Sequence, residues 1–310
     1  MSSLEAAAPG PELIRVVVTG REGQLVRALM ERGPAAMTDV VELGRPALDL
    51  AAPDDVAAVL AAAEPDVIIN AAAYTGVDRA EQEPEQAWAV NAVGAKAVAA
   101  AAAALGVPVI QISTDYVFDG TLDRPYREDD PTEPLGIYGQ SKRAGEAAVA
   151  AAAPDHAILR TAWVYSPFGA NFVKTMLRGA AGRDELSVVA DQRGCPTSAL
   201  DMADAVLRVA RNLVGRPDDA ALRGTFHLSG AGDTTWADFA EAIFAASRAA
   251  GGPSARVRHI TTAEYPTPAR RPANSRLDCA KLARLHGAAL PEWRGSVKRC
   301  VARLLKDADS

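Results

Sequence analysis

Leu13-Ile-Arg-Val-Val-Val-Thr19-Gly20-Arg-Glu-Gly23-Gln24-Leu25-Val26 is the stretch whose reading decides the fold. Its first seven residues are short, apolar and β-branched, the composition of a strand buried on both faces. Gly20 ends that strand. A helical pattern then runs from about Gln24 to Arg32 and stops at Gly33-Pro34. A strand, a glycine-containing turn and a helix in this order place backbone N–H groups and the positive end of a helix dipole beside the turn. That is the environment a pyrophosphate requires. Gly20 and Gly23 leave room for it, while the third glycine of a GxxGxxG pattern is replaced by Val26.

The alternation continues outward. Val40–Leu43 is the second predicted strand, Asp54–Ala63 a helix, and Asp66–Asn70 the third strand. Glu85–Leu105 is a long helix ended by Gly106, and Val107–Ser113 the fourth strand. After a loop over 114–135, a helix spans Gly136–Ala152 and a fifth strand Ala157–Thr161. Strands alternating with helices at this spacing predict an α/β fold, a doubly wound, Rossmann-like parallel sheet. Ligands of such sheets bind at the carboxyl ends of the strands, where Gly20, Ala71–Thr75 and Thr114–Tyr116 all fall. Beyond residue 165 the alternation loosens into helices near 171–181, 198–213 and 235–250. The expected organisation is a disordered arm over 1–12 and an NAD(P)-binding domain over 13–165. Residues 166–310 would form mostly a smaller substrate-binding lobe, with some segments returning to the sheet.

Bulk properties narrow the function. The chain has 310 residues, 49% apolar and 23% charged, and a net charge of −6. That charge argues against a nucleic-acid partner, which would need a basic face. Cys195, Cys279 and Cys300 are too far apart for a disulfide framework or a metal-ligand motif and fit a reducing, cytoplasmic setting. The N-terminus lacks the basic start and apolar run of a signal peptide, and no stretch approaches 18 uninterrupted apolar residues, so no membrane span is expected.

Two further segments carry chemistry. The second strand ends Val41-Glu42-Leu43-Gly44-Arg45. An acid at this end would bind the adenosine ribose hydroxyls, whereas an arginine suits a 2′-phosphate, so Arg45 favours NADPH, with NADH also usable. Tyr138-Gly-Gln-Ser-Lys142 places a phenol and an ammonium four residues apart on one helix face. A cation near a tyrosine lowers its pKa toward neutrality and fits it for proton exchange. Thr114, at the end of the fourth strand, supplies a hydroxyl that could complete a Thr114–Tyr138–Lys142 triad.

Seven motifs make the chain resemble a known family. They are Asn70-Ala-Ala-Ala-Tyr-Thr75, Ser113-Thr-Asp-Tyr-Val-Phe118, Tyr138-Gly-Gln-Ser-Lys142, Arg160-Thr-Ala-Trp-Val-Tyr165, Asn171-Phe-Val-Lys-Thr-Met176, Asp191-Gln-Arg-Gly-Cys-Pro-Thr197 and Pro266-Thr-Pro-Ala-Arg-Arg-Pro272. Over about residues 13–305 the chain resembles the extended short-chain dehydrogenases and, among them, the dTDP-4-dehydrorhamnose reductases. The resemblance implies reduction of the C4 keto group of a dTDP-linked 4-keto-6-deoxysugar by NADPH or NADH. It implies that Gly23, Gln24 and Leu25 line the pyrophosphate, Asp49 and Leu50 the adenine, and Ala73, Tyr74 and Thr75 the cofactor beyond. Tyr138 would donate the proton and Lys142 reach the ribose. Thr114 and Asp115 would hold the sugar and Trp163 pack on it. Asn171 and Gln192 would belong to the substrate site, with Arg270 and Arg271 neutralising the diphosphate. Some members form a dimer bridged by Mg²⁺ through glutamates. One of those positions is Ala28 here, so that dimer is not expected, and the chain is read as a monomer or homodimer. The same scaffold also serves nucleotide-sugar epimerases, 4,6-dehydratases and non-catalytic NADP-binding regulatory subunits. A dehydratase needs an extra acid where this chain has Tyr116.

Overall fold

The computed structural model of the chain describes residues 13–308, so the arm expected over 1–12 lies outside the described residues. Six parallel strands form the central sheet: β1 (Ile14–Thr19), β2 (Thr38–Leu43), β3 (Val67–Asn70), β4 (Val109–Thr114), β5 (His156–Thr161) and β6 (Gly224–His227), in the order β6-β5-β4-β3-β1-β2. The α-helices longer than five residues are α1 (Gln24–Arg32), α2 (Val56–Ala62), α3 (Ala95–Leu105), α4 (Ile137–Ala152), α5 (Phe172–Ala180), α6 (Ala199–Gly215), α7 (Trp236–Ala249), α8 (Ala280–His286) and α9 (Trp293–Ala308).

The pleat of β1 shows why this sheet is buried on both sides. Val16 and Val18 face a core shared with α1 and α6, whereas Val17 faces one shared with α2 and α3. All three valines are fully buried, and each such burial contributes about 1.5–3 kcal/mol. Ala28 is fully buried in the α1–α6 layer. The sixth strand and α6 come from beyond residue 165, which returns part of the second half of the chain to the sheet. A separate core joins α5, α7 and α9 to the parallel pair Glu185–Val189 and Arg256–Ile260.

Most boundaries shift by a residue or two from the sequence reading, and three of the differences have a clear physical reason. β2 begins at Thr38, where its buried side chain pairs in register with Ile14. β4 begins after Pro108, which has no N–H to give the ladder; its carbonyl still accepts from Ile68 N at 3.0 Å. The long helix expected over Glu85–Leu105 is a short helix Pro84–Trp88, a π-helical turn Ala89–Gly94, and α3. The π turn is held by Asn91, whose side chain donates to the Tyr74 carbonyl and the Ser141 hydroxyl, both at 3.0 Å, and accepts from Tyr74 N at 2.8 Å. The continuous stretch Pro84–Leu105 is long and apolar enough, by composition, to cross a membrane, yet 44% of its most apolar window is buried in the protein. It packs on β3 and β4 and beside α2 and α4.

Gly94 lets this segment meet the loop after β2. A Cβ there would lie 2.6 Å from Leu50 Cβ. Gly94→Ala should therefore overpack this contact and destabilise the fold by about 1–3 kcal/mol. Calorimetry that finds an unchanged Tm would refute the packing.

Candidate active site

The carboxyl ends of β1, β3 and β4 are fastened by a buried amide chain. Thr19 Oγ1 donates to Asn70 Oδ1 at 2.6 Å, Asn70 Nδ2 donates to Gln111 Oε1 at 2.7 Å, and Thr19 Oγ1 accepts from Ala72 N at 3.0 Å. Neutral groups replace water where the chain leaves the sheet, so the loops that start there are fixed. Above them opens a cleft of about 1260 Å³. It is lined at one end by the Gly20–Val26 turn, Gly44, Arg45, Asp49 and Leu50, and at the other by Thr114, Asp115, Tyr116, Tyr138, Lys142 and Trp163. Ala73, Tyr74 and Thr75 lie along it.

At the first end, Gly20 has φ +104°, a left-handed value that glycine adopts without strain. Val26 occupies the third glycine position of the pattern, and its Cγ2 comes within 3.3 Å of where a Gly20 Cβ would be. The valine fills the angle of the turn itself. The Gln24 side chain is committed elsewhere: its carbonyl accepts from Ser166 Oγ at 2.8 Å and Asn171 Nδ2 at 3.0 Å. What Gln24 offers an anion is its backbone N–H at the start of α1. A Cβ at Gly44 would lie 2.7 Å from Arg21 Cγ, so glycine there is what allows Arg21 to lie across the end of β2. Sequence reasoning missed Arg21; its signal was a basic residue inside the glycine turn.

At the second end, α4 presents Tyr138, Lys142 and Glu146 on one face. Glu146 is buried and accepts from Ser113 Oγ at 2.5 Å on β4, and from Arg160 Nε at 2.9 Å and Nη2 at 2.7 Å on β5. Sequence reasoning missed this residue too, although its four-residue step beyond Lys142 is a legible signal. Lys142 Nζ donates to the Ile112 carbonyl at 2.7 Å, and burial lowers its pKa to about 8 against an opposing pull from Glu146. The phenol of Tyr138 departs from expectation. Burial pushes its pKa up to about 12, with the Asp115 charge acting in the same direction and a hydrogen bond with Thr114 against it. Desolvation thus outweighs any lowering by the lysine, whose ammonium is held by a backbone carbonyl.

Four expected substrate residues stand outside the cleft lining. Asn171 accepts from Lys174 N at 3.2 Å as the cap of α5. Gln192 is buried and donates to Thr262 Oγ1 at 3.0 Å. Arg270 is exposed. Arg271 is in a two-point ion pair with Asp78, at 2.7 and 3.1 Å.

Asp115 is 3% exposed, accepts from Thr114 Oγ1 at 3.0 Å, and has no hydrogen-bond partner for its Oδ2 among the described residues, although the Ser275 hydroxyl lies near enough to favour the anion. Burial dominates and raises its pKa from 3.8 to about 6. The folded state therefore binds the proton more tightly than the unfolded chain, and stability is lost as pH rises from about 4 to 6. Two units correspond to roughly 3 kcal/mol. Asp115→Asn should stabilise the protein by up to that amount at pH 8 and by little below pH 4. Urea denaturation giving the same gain at both pH values would contradict this origin.

Comparison with known proteins places this geometry. The family model described as the RmlD substrate binding domain matches residues 14–306. A dTDP-4-dehydrorhamnose reductase of Sinorhizobium fredii is 53% identical over 298 residues, covering 95% of this chain and all of that protein. The crystal structure of a dTDP-4-dehydrorhamnose reductase from Clostridium acetobutylicum superposes with a TM-score of 0.86 at 38% identity, covering 94% of this chain and 100% of its own. That of the Bacillus anthracis enzyme in complex with NADP gives the same TM-score at 36% identity, with 94% and 100% covered. With a matched model across nearly the whole described chain and relatives covered almost end to end, this chain belongs to the dTDP-4-dehydrorhamnose reductase family.

Proposed function

We propose that the chain reduces the C4 keto group of dTDP-4-dehydro-L-rhamnose to give dTDP-L-rhamnose, with Tyr138 as the proton donor. The observation that carries this is the placement of Tyr138, Thr114 and Lys142 together in a cleft whose other end is a glycine turn. The residues at that turn fit a dinucleotide: Gly20 and Gly23 leave space, and the N-terminal N–H groups of α1 face the turn. When bound, a reduced nicotinamide supplies the hydride for C4.

The protein's part follows from its own groups. A phenol with a pKa of about 12 is fully protonated near neutrality, so the donor is loaded before reaction. An alkoxide is more basic than a phenolate, so transfer of the Tyr138 proton to the developing oxygen is downhill. Thr114 hydrogen-bonds the phenol and steadies its orientation toward that oxygen. Lys142, held by the Ile112 carbonyl, is placed to bind a ribose hydroxyl and to stabilise the phenolate that forms. Asp115 and Trp163 are assigned to the sugar, Asp49 and Leu50 to the adenine, and Ala73–Thr75 to the cofactor between. Arg271, released from Asp78, and Arg270 are assigned to the diphosphate. Residues 13–165, whose sheet α6 and β6 complete, are assigned to the cofactor, and the remainder of the second half is assigned to the sugar.

Against a dehydratase, Tyr116 stands in the cleft where that reaction needs an acid, and burial raises its phenol pKa further. An intact triad speaks against a solely regulatory role. For the cofactor we favour NADPH, because Arg45 and Arg21 flank Gly44 and the nearby Glu42 is held in an ion pair with Arg21 at 3.6 Å.

Tyr138→Phe should abolish NADPH oxidation with enzymatically prepared dTDP-4-dehydro-L-rhamnose while leaving the Kd for NADPH within about twofold; retained turnover would sink the assignment. Arg21→Ala should raise KM for NADPH roughly tenfold or more and leave KM for NADH nearly unchanged, since a hydrogen bond to a charged group is worth about 1.5–3 kcal/mol. Equal changes for both cofactors would remove Arg21 from the 2′-phosphate site.

A further inference from the structure

Trp163 carries an unusual conformation for its residue type. It lines the cleft beside the Thr114–Tyr138 end, and its φ is +48°, in the left-handed region that a bulky side chain rarely occupies. Such strain persists only where surrounding structure over-determines it. Three features do so here. The Trp163 carbonyl accepts from Thr197 N at 3.1 Å, and Val164 pairs in parallel with Thr197. The indole stacks on that of Trp236, with ring centroids 3.6 Å apart and planes 13° from parallel. Gly194 lies against the indole edge: a Cβ there would stand 2.6 Å from Cζ2 and 2.7 Å from Nε1, so any side chain would displace the ring.

These supports are themselves tied together. Gly194 pairs antiparallel with Thr234, which brings its strand alongside the residues that lead into Trp236 at the start of α7. Trp236 is backed in turn by Phe172, at 4.6 Å between centroids, and by Phe239 at 6.2 Å. One face of the Trp163 indole is thus occupied by a ring that cannot retreat.

We propose that Trp236 and Gly194 are positioning residues that fix Trp163 as a rigid wall for the C–H face of the substrate's deoxysugar ring. The proposal rests on the reductase reading above, and it gives the Asp191–Thr197 segment a physical role, in which Gly194 and Thr197 shape the wall without contacting the sugar. A pyranose lacking a 6-hydroxyl presents ring C–H groups and a methyl, surface that an indole can cover. A wall fixed in advance costs little ordering entropy when the sugar binds.

The test is a double-mutant cycle on the full-length protein, read with dTDP-4-dehydro-L-rhamnose, with NADPH, and by far-ultraviolet circular dichroism for the exciton couplet of two stacked indoles. Trp236→Leu should raise the sugar KM roughly fivefold to tenfold, leave kcat within about threefold, leave the Kd for NADPH unchanged, and remove the couplet. Trp236→Phe, which can still stack, should recover most of the KM. In a Trp163→Leu background, Trp236→Leu should add nothing further. An unchanged sugar KM, additive effects in the double variant, or a parallel loss of NADPH affinity overturns the proposal. If Trp236→Leu does not fold, Trp236→Phe and Gly194→Ala carry the same readings, with Gly194→Ala expected to raise the sugar KM and Trp236→Phe to leave it near wild type. A wild type that turns the sugar over while these variants match it refutes the positioning role alone. A wild type that does not turn it over refutes the reductase reading and this proposal with it.

Discussion

The buried pair Glu146–Arg160 is the constraint on which the placement of Tyr138 and Lys142 depends. Both side chains are under a tenth exposed, and Glu146 takes two hydrogen bonds from the guanidinium and a third from Ser113. Such a pair contributes little net stability against its own desolvation, but losing one partner strands a charge in the interior and is costly. Its value is geometric. It joins α4 to β4 and β5 at a position four residues past Lys142, so the helix carrying Tyr138 and Lys142 is held against rotation and sliding relative to the strand ends. Phe118 beneath the guanidinium, 5.1 Å from its ring centroid, closes the same contact from the loop after β4.

With that helix fixed, the site divides into two regimes. Around Tyr138 and Lys142, desolvation dominates and moves both groups toward their neutral forms, the phenol up and the ammonium down. At the glycine turn the groups that face an anion are backbone donors and two arginines, Arg21 and Arg45, with Glu22 beside them. The first regime suits moving a proton and the second holding an anion.

Much of this was legible in the sequence because it rests on local rules. β1, α1, the strand-end positions and the Tyr138–Lys142 face follow from period, composition and glycine placement, and α1 begins and ends where its pattern does. The π turn at Ala89–Gly94 was not legible, because alanine-rich sequence favours a helix and the break is set by Asn91 reaching across to Tyr74 and Ser141. The sign of the Tyr138 shift was not legible either: the spacing reveals a nearby cation but not the burial that outweighs it. Asn171 and Gln192 were visible as motif members, while their partners, 147 and 70 residues away in the chain, were not.

Gln24 couples the two ends of the cleft mechanically. Its amide sits at the first residue of α1 and is gripped by Ser166, Asn171 and the Val164 carbonyl, at 2.8, 3.0 and 3.4 Å. The segment it grips runs from directly after Trp163 to the cap of α5. One side chain is therefore a tie-rod between the glycine turn and the segment that follows Trp163. The two ends of the cleft share a single span, and the distance between them is set by the protein's own side chains.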